Sequence, residues 1–328
     1  MDGQQRCLQI GSVMILAAII LRLLSAGALE PLAKAVESPE TMAFLLYLET
    51  GRVVHPDEPT TPAPSTEATL PPQTVPVTEP EQAALCFSDA DASLVEVRYH
   101  ASYRPDLGLL VTCPLQWDLQ KASPAVLILH THATESYDPA AEYYEQSSDY
   151  RTLDTGYNMV SIGAYLASLL EQGGITVLHD TTLHDYPSYN GSYSASRKTA
   201  QTYLKAHPEI LMVLDLHRDA AENNGGQLDT SVQVGGKECA QLMMVVGTRQ
   251  QGWEQNMALA VKLTALLEKQ HPGSTRPISF RTQQFNQDLS PGALLIEVGA
   301  AGNSRQEALR AVEILAEGIL ALAKGANI

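Results

Sequence analysis

A short apolar segment that ends abruptly in polar residues most constrains the fold of this chain. Residues 125–129 are continuously apolar and follow Pro124, a pattern typical of a strand buried on both faces of a mostly parallel sheet. His130, His132 and Glu135 come directly after this segment. In open α/β sheets, ligands and catalytic groups gather beyond the carboxyl ends of the strands. The sequence therefore predicts a functional site at the end of this strand.

The two histidines of this segment have a spacing that suits metal ligands. If the strand continues through them, its period of two places His130 and His132 on the same side. The alternative is a surface loop in which both residues are merely polar and bond to the backbone. Two further apolar segments that contain or precede polar residues favour the interpretation of this region as a functional site.

A second apolar segment ends in a similar way. Residues 210–214 are apolar, and Asp215, His217, Arg218 and Asp219 follow them closely. We predict that the Arg218 guanidinium polarises a carbonyl or a carboxylate of a substrate. The alternative is an ion pair between Arg218 and either Asp215 or Asp219.

A third strand-like segment, residues 293–303, carries Glu297 among apolar neighbours. A buried carboxylate is costly unless it is paired, protonated or close to a metal ion. Two imidazoles and a carboxylate form a common catalytic zinc set. We expect His132, His217 and one carboxylate to bind Zn²⁺, with Glu297 as the general base. His130 is either a further ligand or a residue that contacts a ligand.

The chain from residue 123 onward alternates between strand-like and helix-like patterns. This alternation predicts a three-layer α/β domain of roughly 200 residues with a mostly parallel sheet. Helices are predicted at 158–171, 194–206, 256–269 and 306–323, with further strands at 175–178 and 242–246.

The first part of the chain has a different character. Residues 10–29 are apolar over about the 20 residues that cross a bilayer as a helix, although Arg22 interrupts them. We expect a cytoplasmic stub and transmembrane anchor at 1–34, while a cleaved signal peptide is the alternative. Residues 35–84, rich in Pro and Thr, predict a disordered linker outside the membrane. At 85–122 we expect peripheral strands, indicated by alternation at 93–99 and 109–112, that lead into a catalytic domain at 123–328.

The overall charge and the cysteines exclude other classes of protein. The formal net charge of −16 argues against nucleic-acid binding, which requires a basic surface. The four cysteines show no CxxC spacing and therefore do not indicate a structural zinc site.

Seven motifs in this chain together resemble the stage II sporulation protein P family of cell-wall hydrolases. The likeness extends from about residue 123 to the end. The motifs are HTHATESY at 130–137, YNMVSIG at 157–163, GITVLHD at 174–180, SYSASR at 192–197, DLHRD at 215–219, FNQDLS at 285–290 and LIEVG at 295–299.

This resemblance implies a zinc-dependent N-acetylmuramoyl-L-alanine amidase that strips stem peptides from peptidoglycan, with an endopeptidase activity on cross-links as a further expectation. It also implies a location in the cell membrane of a sporulating cell, with the catalytic domain in the intermembrane space during engulfment. The expected partners are a lytic transglycosylase of the stage II sporulation protein D type and a membrane scaffold protein.

The resemblance also implies roles for individual residues. His132, His217 and Glu297 match three positions of the broader amidase pattern. The remaining carboxylate ligand is either Glu135, which is close to the first histidines, or Asp154, which precedes the helix at 158–171. We prefer Glu135, because an aspartate reaches about one bond less far.

Two rival functions stay open at this point. The first keeps the metal site and makes the enzyme a peptidase that acts on stem peptides. The second is a non-catalytic tethered module that binds peptidoglycan or serves as a scaffold, in which the histidines are structural.

Overall fold

A computed structural model of the protein describes residues 87–115, 118–223 and 226–325. The predicted anchor at 1–34 and the predicted linker at 35–84 lie outside these residues. Within the three ranges, no helix has both the length and the apolar character that crossing a bilayer requires.

A seven-stranded sheet forms the centre of the described domain, in the order β1-β10-β9-β11-β4-β2-β3. Two small hairpins, β5-β6 and β7-β8, lie between the fourth and ninth strands of the chain. The strands are β1 Val97–Tyr99, β2 Val126–Leu129, β3 Val177–His179, β4 Met212–Asp219, β5 Glu222–Asn223, β6 Gly226–Gln227, β7 Ser231–Val234, β8 Lys237–Ala240, β9 Leu242–Gly247, β10 Ile278–Arg281 and β11 Gly292–Ala300.

The predicted mostly parallel sheet is confirmed. Neighbouring strands run parallel across the sheet except where β11 meets β9. The strands β2, β4 and β11 are adjacent and run in the same direction. Their carboxyl ends therefore meet at one edge of the sheet.

The described residues form five α-helices, four of which pack on this sheet, and the sequence accounts for both ends of the second helix. The second helix begins after Asn158, whose side chain accepts a hydrogen bond from the backbone N–H of Val160, and it ends at Gly173. Gly174 has a φ of 89°, a left-handed conformation that favours glycine. The helices are α1 Leu107–Thr112, α2 Met159–Gln172, α3 Ser192–Ala206, α4 Trp253–Gln270 and α5 Arg305–Gly325.

Alternation along the strands creates two different faces of the sheet. Ile128 and Leu214 belong to a large core that also includes buried residues of α2, α4 and α5. Leu129 and Val213 belong to a smaller cluster with Ala200 of α3. We call this second side the α3 face. The helices on both faces confirm the predicted three layers.

The same alternation assigns the polar residues of β4 and β11 to a face. Asp215 and His217 follow Val213 at steps of two, and Glu297 follows Ala293 at the same period. All three therefore lie on the α3 face, where a single helix leaves the carboxyl edge less covered.

The segment predicted as peripheral strands fits that expectation only in its first part, where β1 forms a strand. The strand β1 pairs with β10 and is thus an edge of the main sheet. Residues 109–112, predicted as a strand, belong to the helix α1. Asp106 caps this helix by accepting a hydrogen bond from the N–H of Leu109, and Leu110 and Val111 are buried. Helix capping and packing against α4 override the local alternation.

Candidate metal centre

The carboxyl ends of β2, β4 and β11 bring the three predicted polar clusters together. His217 and Glu297 are paired across β4 and β11, and Leu129 is paired with Asp215 across β2 and β4. The loop after β2 carries His132 back toward β4, so that its ring centroid lies 5.1 Å from that of His217.

Asp215 lies beside the imidazole of His217, on the side of the ring that carries Nε2. Oδ1 of Asp215 lies 3.0 Å from Nε2 of His217. The same carboxylate accepts hydrogen bonds from the backbone N–H and the hydroxyl of Thr131, at 2.7 and 2.6 Å. Burial alone would lower the pKa of His217, but Asp215 and Glu135 more than offset it and raise that pKa well above its ordinary value. The imidazole ring is thus fixed with Nδ1 directed toward Glu135.

Glu135 lies on the other side of His217, with Oε2 3.5 Å from Nδ1 of the imidazole. Its Oε1 is 3.2 Å from Nη2 of Arg151 and 3.8 Å from Nη1 of Arg218. Burial would raise the pKa of Glu135, but Arg218 and His217 outweigh it and hold the pKa at about 2. Glu135 is therefore a carboxylate at all ordinary pH values.

His132 supplies an imidazole nitrogen that is available for a ligand. Its Nδ1 is inaccessible to solvent and has no hydrogen-bond partner among the described residues. Tyr189 stacks on the ring at a centroid distance of 4.5 Å. Burial lowers the pKa of His132 to about 4, so the imidazole is neutral at pH 7. A neutral imidazole is the form that binds metal ions.

Nε2 of His217 is a second buried atom without a hydrogen-bond partner among the described residues, and Glu297 carries a third. Its Oε2 is inaccessible to solvent and accepts no hydrogen bond from any described residue. Burial raises the pKa of Glu297 to about 8, and the neighbouring Glu135 adds to the effect of burial. In the absence of a nearby cation, this carboxyl group is therefore mostly protonated at neutral pH.

The donor set of His132, His217 and Glu135 fits a zinc ion in residue type and in the atoms left for it. Nδ1 of His132 lacks a partner, and the 3.5 Å between Nδ1 of His217 and Oε2 of Glu135 is close to the separation of two ligands about 2.0–2.2 Å from one ion. Within the described ranges, no group of three or more His, Cys, Asp or Glu side chains is close enough together to hold a metal ion in its present arrangement. Metal binding would thus draw these three donors closer together.

His130 does not belong to this set, which corrects its prediction as a ligand. The strand β2 ends at Leu129, so alternation does not continue through the histidines. The ring of His130 lies against α2, where its Nδ1 donates to the carbonyl of Leu216 and its Nε2 is 2.9 Å from Nε2 of His179. A Cβ atom added at Gly163 would lie 2.5 Å from the same Nε2. Both ring nitrogens are thus engaged on the opposite side of the sheet.

Arg218 is also placed differently from its prediction. Its side chain is buried, and it donates hydrogen bonds to the carbonyls of Ser136 and Tyr150 at 3.0 and 2.8 Å. Its backbone N–H donates to Oε2 of Glu135. The guanidinium is therefore occupied within the protein, where it supports Glu135 and cannot polarise a substrate. The alternative ion pair with Asp215 or Asp219 is not what the structure shows.

The choice between the two carboxylates follows from their positions. Asp154 is exposed, and its Oδ1 accepts a hydrogen bond from the N–H of Gly156 in a local turn. Glu135 is buried beside His217. The structure thus brings Glu135 to the predicted centre and leaves Asp154 outside it.

Sequence reasoning missed the residues that orient the centre. Asp215 was noted as a neighbour of His217, but not as its support; the D-x-H spacing on one strand was the available signal. Arg151 bridges Glu135 and Asp185, with 2.6 Å between its Nη1 and Oδ2 of Asp185. No local pattern reveals this bridge, because Glu135 and Arg151 are 16 residues apart in the connection between β2 and α2, and Asp185 comes from the connection after β3.

The fold and the site together define a class of protein. It is an α/β domain with two histidines at the carboxyl edge of its parallel strands. The same edge carries one glutamate that is paired with arginine and a second glutamate with a buried carboxylate oxygen. Residues 62–320 match the family described as Stage II sporulation protein P (SpoIIP), which covers more than half of the chain. The chain belongs to this family, and the resemblance seen in the sequence is confirmed.

The chain is also similar in sequence to an individual protein of this family. Stage II sporulation protein P of Bacillus subtilis (strain 168) is 29% identical over 203 residues, which cover 58% of this chain and 49% of that protein. The match thus spans about half the length of this relative.

Solved structures give a weaker likeness. The N-acetylmuramoyl-L-alanine amidase AmiC2 of Nostoc punctiforme has a TM-score of 0.36 and 15% identity, over 61% of this chain and 97% of that one. The CwlD amidase of Clostridioides difficile, solved in complex with the GerS lipoprotein, has a TM-score of 0.37 and 15% identity. The match covers 61% of this chain and 95% of that one. We draw no functional conclusion from likeness at this level.

Proposed function

We propose that this protein is a zinc-dependent peptidoglycan amidase that cleaves the bond between N-acetylmuramic acid and the L-alanine of the stem peptide. One observation carries the proposal: Nδ1 of His132, Nδ1 of His217 and Oε2 of Glu135 belong to one buried cluster, with Glu297 paired beside His217. Membership of the SpoIIP family supports peptidoglycan as the substrate and sporulation as the setting.

The two histidines and Glu135 would hold the ion. When bound, zinc supplies a Lewis acid that makes water a nucleophile near neutral pH. Metal binding would release the proton of His217. Two neutral imidazoles and one carboxylate would then leave a net positive charge at the centre, which suits that chemistry. Asp215 and Arg151 keep His217 and Glu135 oriented, a type of support that commonly tunes metal affinity.

Glu297 acts as the general base. It takes a proton from the attacking water and later gives it to the amine that leaves. Its pKa of about 8 in the metal-free site shows how strongly its environment disfavours negative charge. A cation nearby favours the ionised carboxylate, which is the form that accepts the proton.

The test is digestion of purified peptidoglycan by the full-length protein, with products identified by mass spectrometry. Free stem peptides and peptide-free glycan, lost with chelator and restored with zinc, support the amidase. Split cross-links with peptides still attached to sugar indicate an endopeptidase instead. Intact peptidoglycan in the presence of folded, zinc-loaded protein indicates a binding or scaffold module and contradicts the proposal.

A matched pair of histidine variants sharpens this test. His217→Ala should abolish peptide release, because it removes a proposed ligand. His271→Ala should retain it, since His271 lies outside the centre and contacts Glu317. Equal loss in both variants would show a general effect of removing a histidine.

We also propose that the protein is held in the cell membrane through residues 1–34, with the catalytic domain in the intermembrane space during engulfment. The apolar run at 10–29 supports this location. Release of the protein from membranes by alkaline carbonate would contradict it. The proposed partners are a lytic transglycosylase of the stage II sporulation protein D type and a membrane scaffold protein, both testable by co-purification from sporulating cells.

A further inference from the structure

Tyr193 lies at the candidate metal centre without a role in the function proposed so far. It is the second residue of α3, and its ring is edge-on to His132 at 5.5 Å between centroids. The same ring is nearly parallel to that of His217 at 6.4 Å. Tyr193 thus covers the two histidines from the α3 face.

The hydroxyl of Tyr193 differs from those of four other tyrosines in the domain. Tyr137, Tyr144, Tyr165 and Tyr203 each donate a hydrogen bond to an oxygen of the protein. The Tyr193 hydroxyl makes no hydrogen bond to the described residues, although its backbone carbonyl accepts two. Its O–H is therefore left available for a bound molecule.

The position of Tyr193 is fixed by a loop that has an uncommon backbone. Phe285 and Asn286 have φ values of 54° and 56°, in the left-handed region that non-glycine residues seldom adopt. Asn286 donates hydrogen bonds to the Tyr193 carbonyl and to the Ser196 hydroxyl, and Phe285 packs on the Tyr193 ring at 6.0 Å. Strained backbone of this kind persists where the surroundings hold it, and it is concentrated at functional sites.

A second contact fixes the helix to the same loop. Arg197, one turn after Tyr193, forms a two-pronged ion pair with Asp288, at 2.7 and 2.5 Å. The phenol is therefore held at the centre from both its helix and its neighbouring loop.

We propose that the Tyr193 hydroxyl donates a hydrogen bond to the carbonyl oxygen of the amide that is cleaved, and that this bond strengthens as the oxygen gains negative charge. This inference rests on the proposed amidase function and adds a catalytic residue to it. A donor aimed at developing charge accelerates such reactions more than one that binds the ground state equally well.

Cleavage of the amide takes place in two stages. Water forms a bond to the carbonyl carbon, the π pair of the C=O bond moves to oxygen, and Glu297 takes the proton from water. Tyr193 keeps its own proton and only donates a hydrogen bond to the oxyanion. The pair on oxygen then restores the C=O bond, the C–N bond breaks, and Glu297 returns the proton to the amine.

Tyr193 is chemically suited to be a hydrogen-bond donor at this position. A phenol has an ordinary pKa of about 10, so its hydroxyl carries a proton at neutral pH. Arg218 cannot take the same role, because its guanidinium is buried and bound to backbone carbonyls.

The decisive variant is Tyr193→Phe, which keeps the ring and its contacts and removes only the hydroxyl. We expect kcat for peptide release to fall by roughly 100-fold or more, with KM changed by less than about twofold. Zinc affinity should stay at the wild-type value. The matched control is Tyr203→Phe, which removes a phenol hydroxyl from the same helix outside the centre and should leave kcat unchanged.

A binding measurement provides a readout apart from turnover. A phosphinate analogue of the muramoyl-L-alanine bond has a tetrahedral, negatively charged centre that mimics the oxyanion. Tyr193→Phe should weaken this analogue by the same factor by which it lowers kcat/KM. Binding of the uncharged substrate fragment should be unchanged.

The outcomes separate this inference from the function on which it rests. Wild-type protein that releases no peptide overturns both. Active wild type with equal kcat in Tyr193→Phe overturns the inference alone. A loss of zinc affinity in parallel with activity would show that the hydroxyl supports the histidines and also overturns it.

Discussion

Nε2 of His217 lies 3.0 Å from Oδ1 of Asp215, two residues earlier on the same strand. Carboxylates in this position orient the imidazole and raise its basicity toward a metal ion. Asp215→Asn should therefore lower zinc affinity by about 10- to 100-fold. Competition with a chromophoric chelator measures this directly. Asp219→Asn is the control, since Asp219 pairs with Arg276 instead; equal affinity in wild type and Asp215→Asn would contradict the orienting role.

The assignment of Glu135 as the carboxylate ligand predicts opposite results for two variants. Glu135→Gln should lose stoichiometric zinc at neutral pH, because it removes the negative charge beside His217. Asp154→Asn should keep zinc at the wild-type level, since Asp154 is exposed and engaged in a local turn. Zinc content after dialysis, measured by mass spectrometry, distinguishes them. The reverse pattern would identify Asp154 as the ligand.

Arg218 should matter for stability as much as for activity. Arg218→Met leaves Glu135 and two backbone carbonyls without their buried partner. Removal of one partner from a buried ion pair commonly lowers the free energy of unfolding by about 3 to 5 kcal/mol. Urea titration of the metal-free protein measures this change, and exposed Arg249 provides the control variant Arg249→Met. Lost activity at unchanged stability and zinc content would instead place Arg218 on the substrate.

Glu297 makes the stability of the metal-free protein depend on pH. Its folded pKa of about 8 exceeds the ordinary value of 4.5, so the native state binds more protons than the unfolded state between these values. The stability contributed by the protonated group is complete below pH 4.5 and is lost as the pH rises through 8. At about 1.4 kcal/mol per pKa unit, this loss is roughly 5 kcal/mol.

The glutamine in Glu297→Gln does not ionise, so the variant should not lose this stability as the pH rises. The unfolding midpoint of the variant should therefore rise relative to wild type as the pH increases from 5 to 9 in the presence of chelator. Calorimetry at several pH values gives the comparison. A difference in midpoint that is constant with pH would show that Glu297 is ionised in the folded protein throughout this range.

The sequence was sufficient to predict the three strands that carry the site and the side chains at their ends. Residues 125–129, 210–214 and 293–303 were predicted as strand-like segments, and the strands formed there lie adjacent in the sheet. Continuous apolar runs bounded by polar residues carry this information locally, and parallel strands then bring their carboxyl ends to one edge. The adjacency of His217 and Glu297 follows from those two facts.

The sequence could not predict which way the polar side chains turn beyond a strand. His130 and His132 are two residues apart, yet they lie on opposite sides of the sheet because β2 ends at Leu129. Arg218 immediately follows His217 and nevertheless supports Glu135 from behind. These directions depend on loops that pack from distant parts of the chain.

The early segment shows a similar limit. Residues 109–112 alternate like a strand, but Asp106 caps them as a helix and α4 provides the surface that buries Leu110 and Val111. Local periodicity over four residues is weaker than a cap and a tertiary contact combined.

The central claim is that His132, His217 and Glu135 together hold one zinc ion. Anomalous diffraction from crystals of the protein grown with zinc, recorded on both sides of the zinc absorption edge, tests it most directly. We predict a single peak in the catalytic domain within about 2.0–2.2 Å of Nδ1 of His132, Nδ1 of His217 and Oε2 of Glu135. No peak at these atoms, or a zinc ion bound by Asp154 in place of Glu135, would contradict the account.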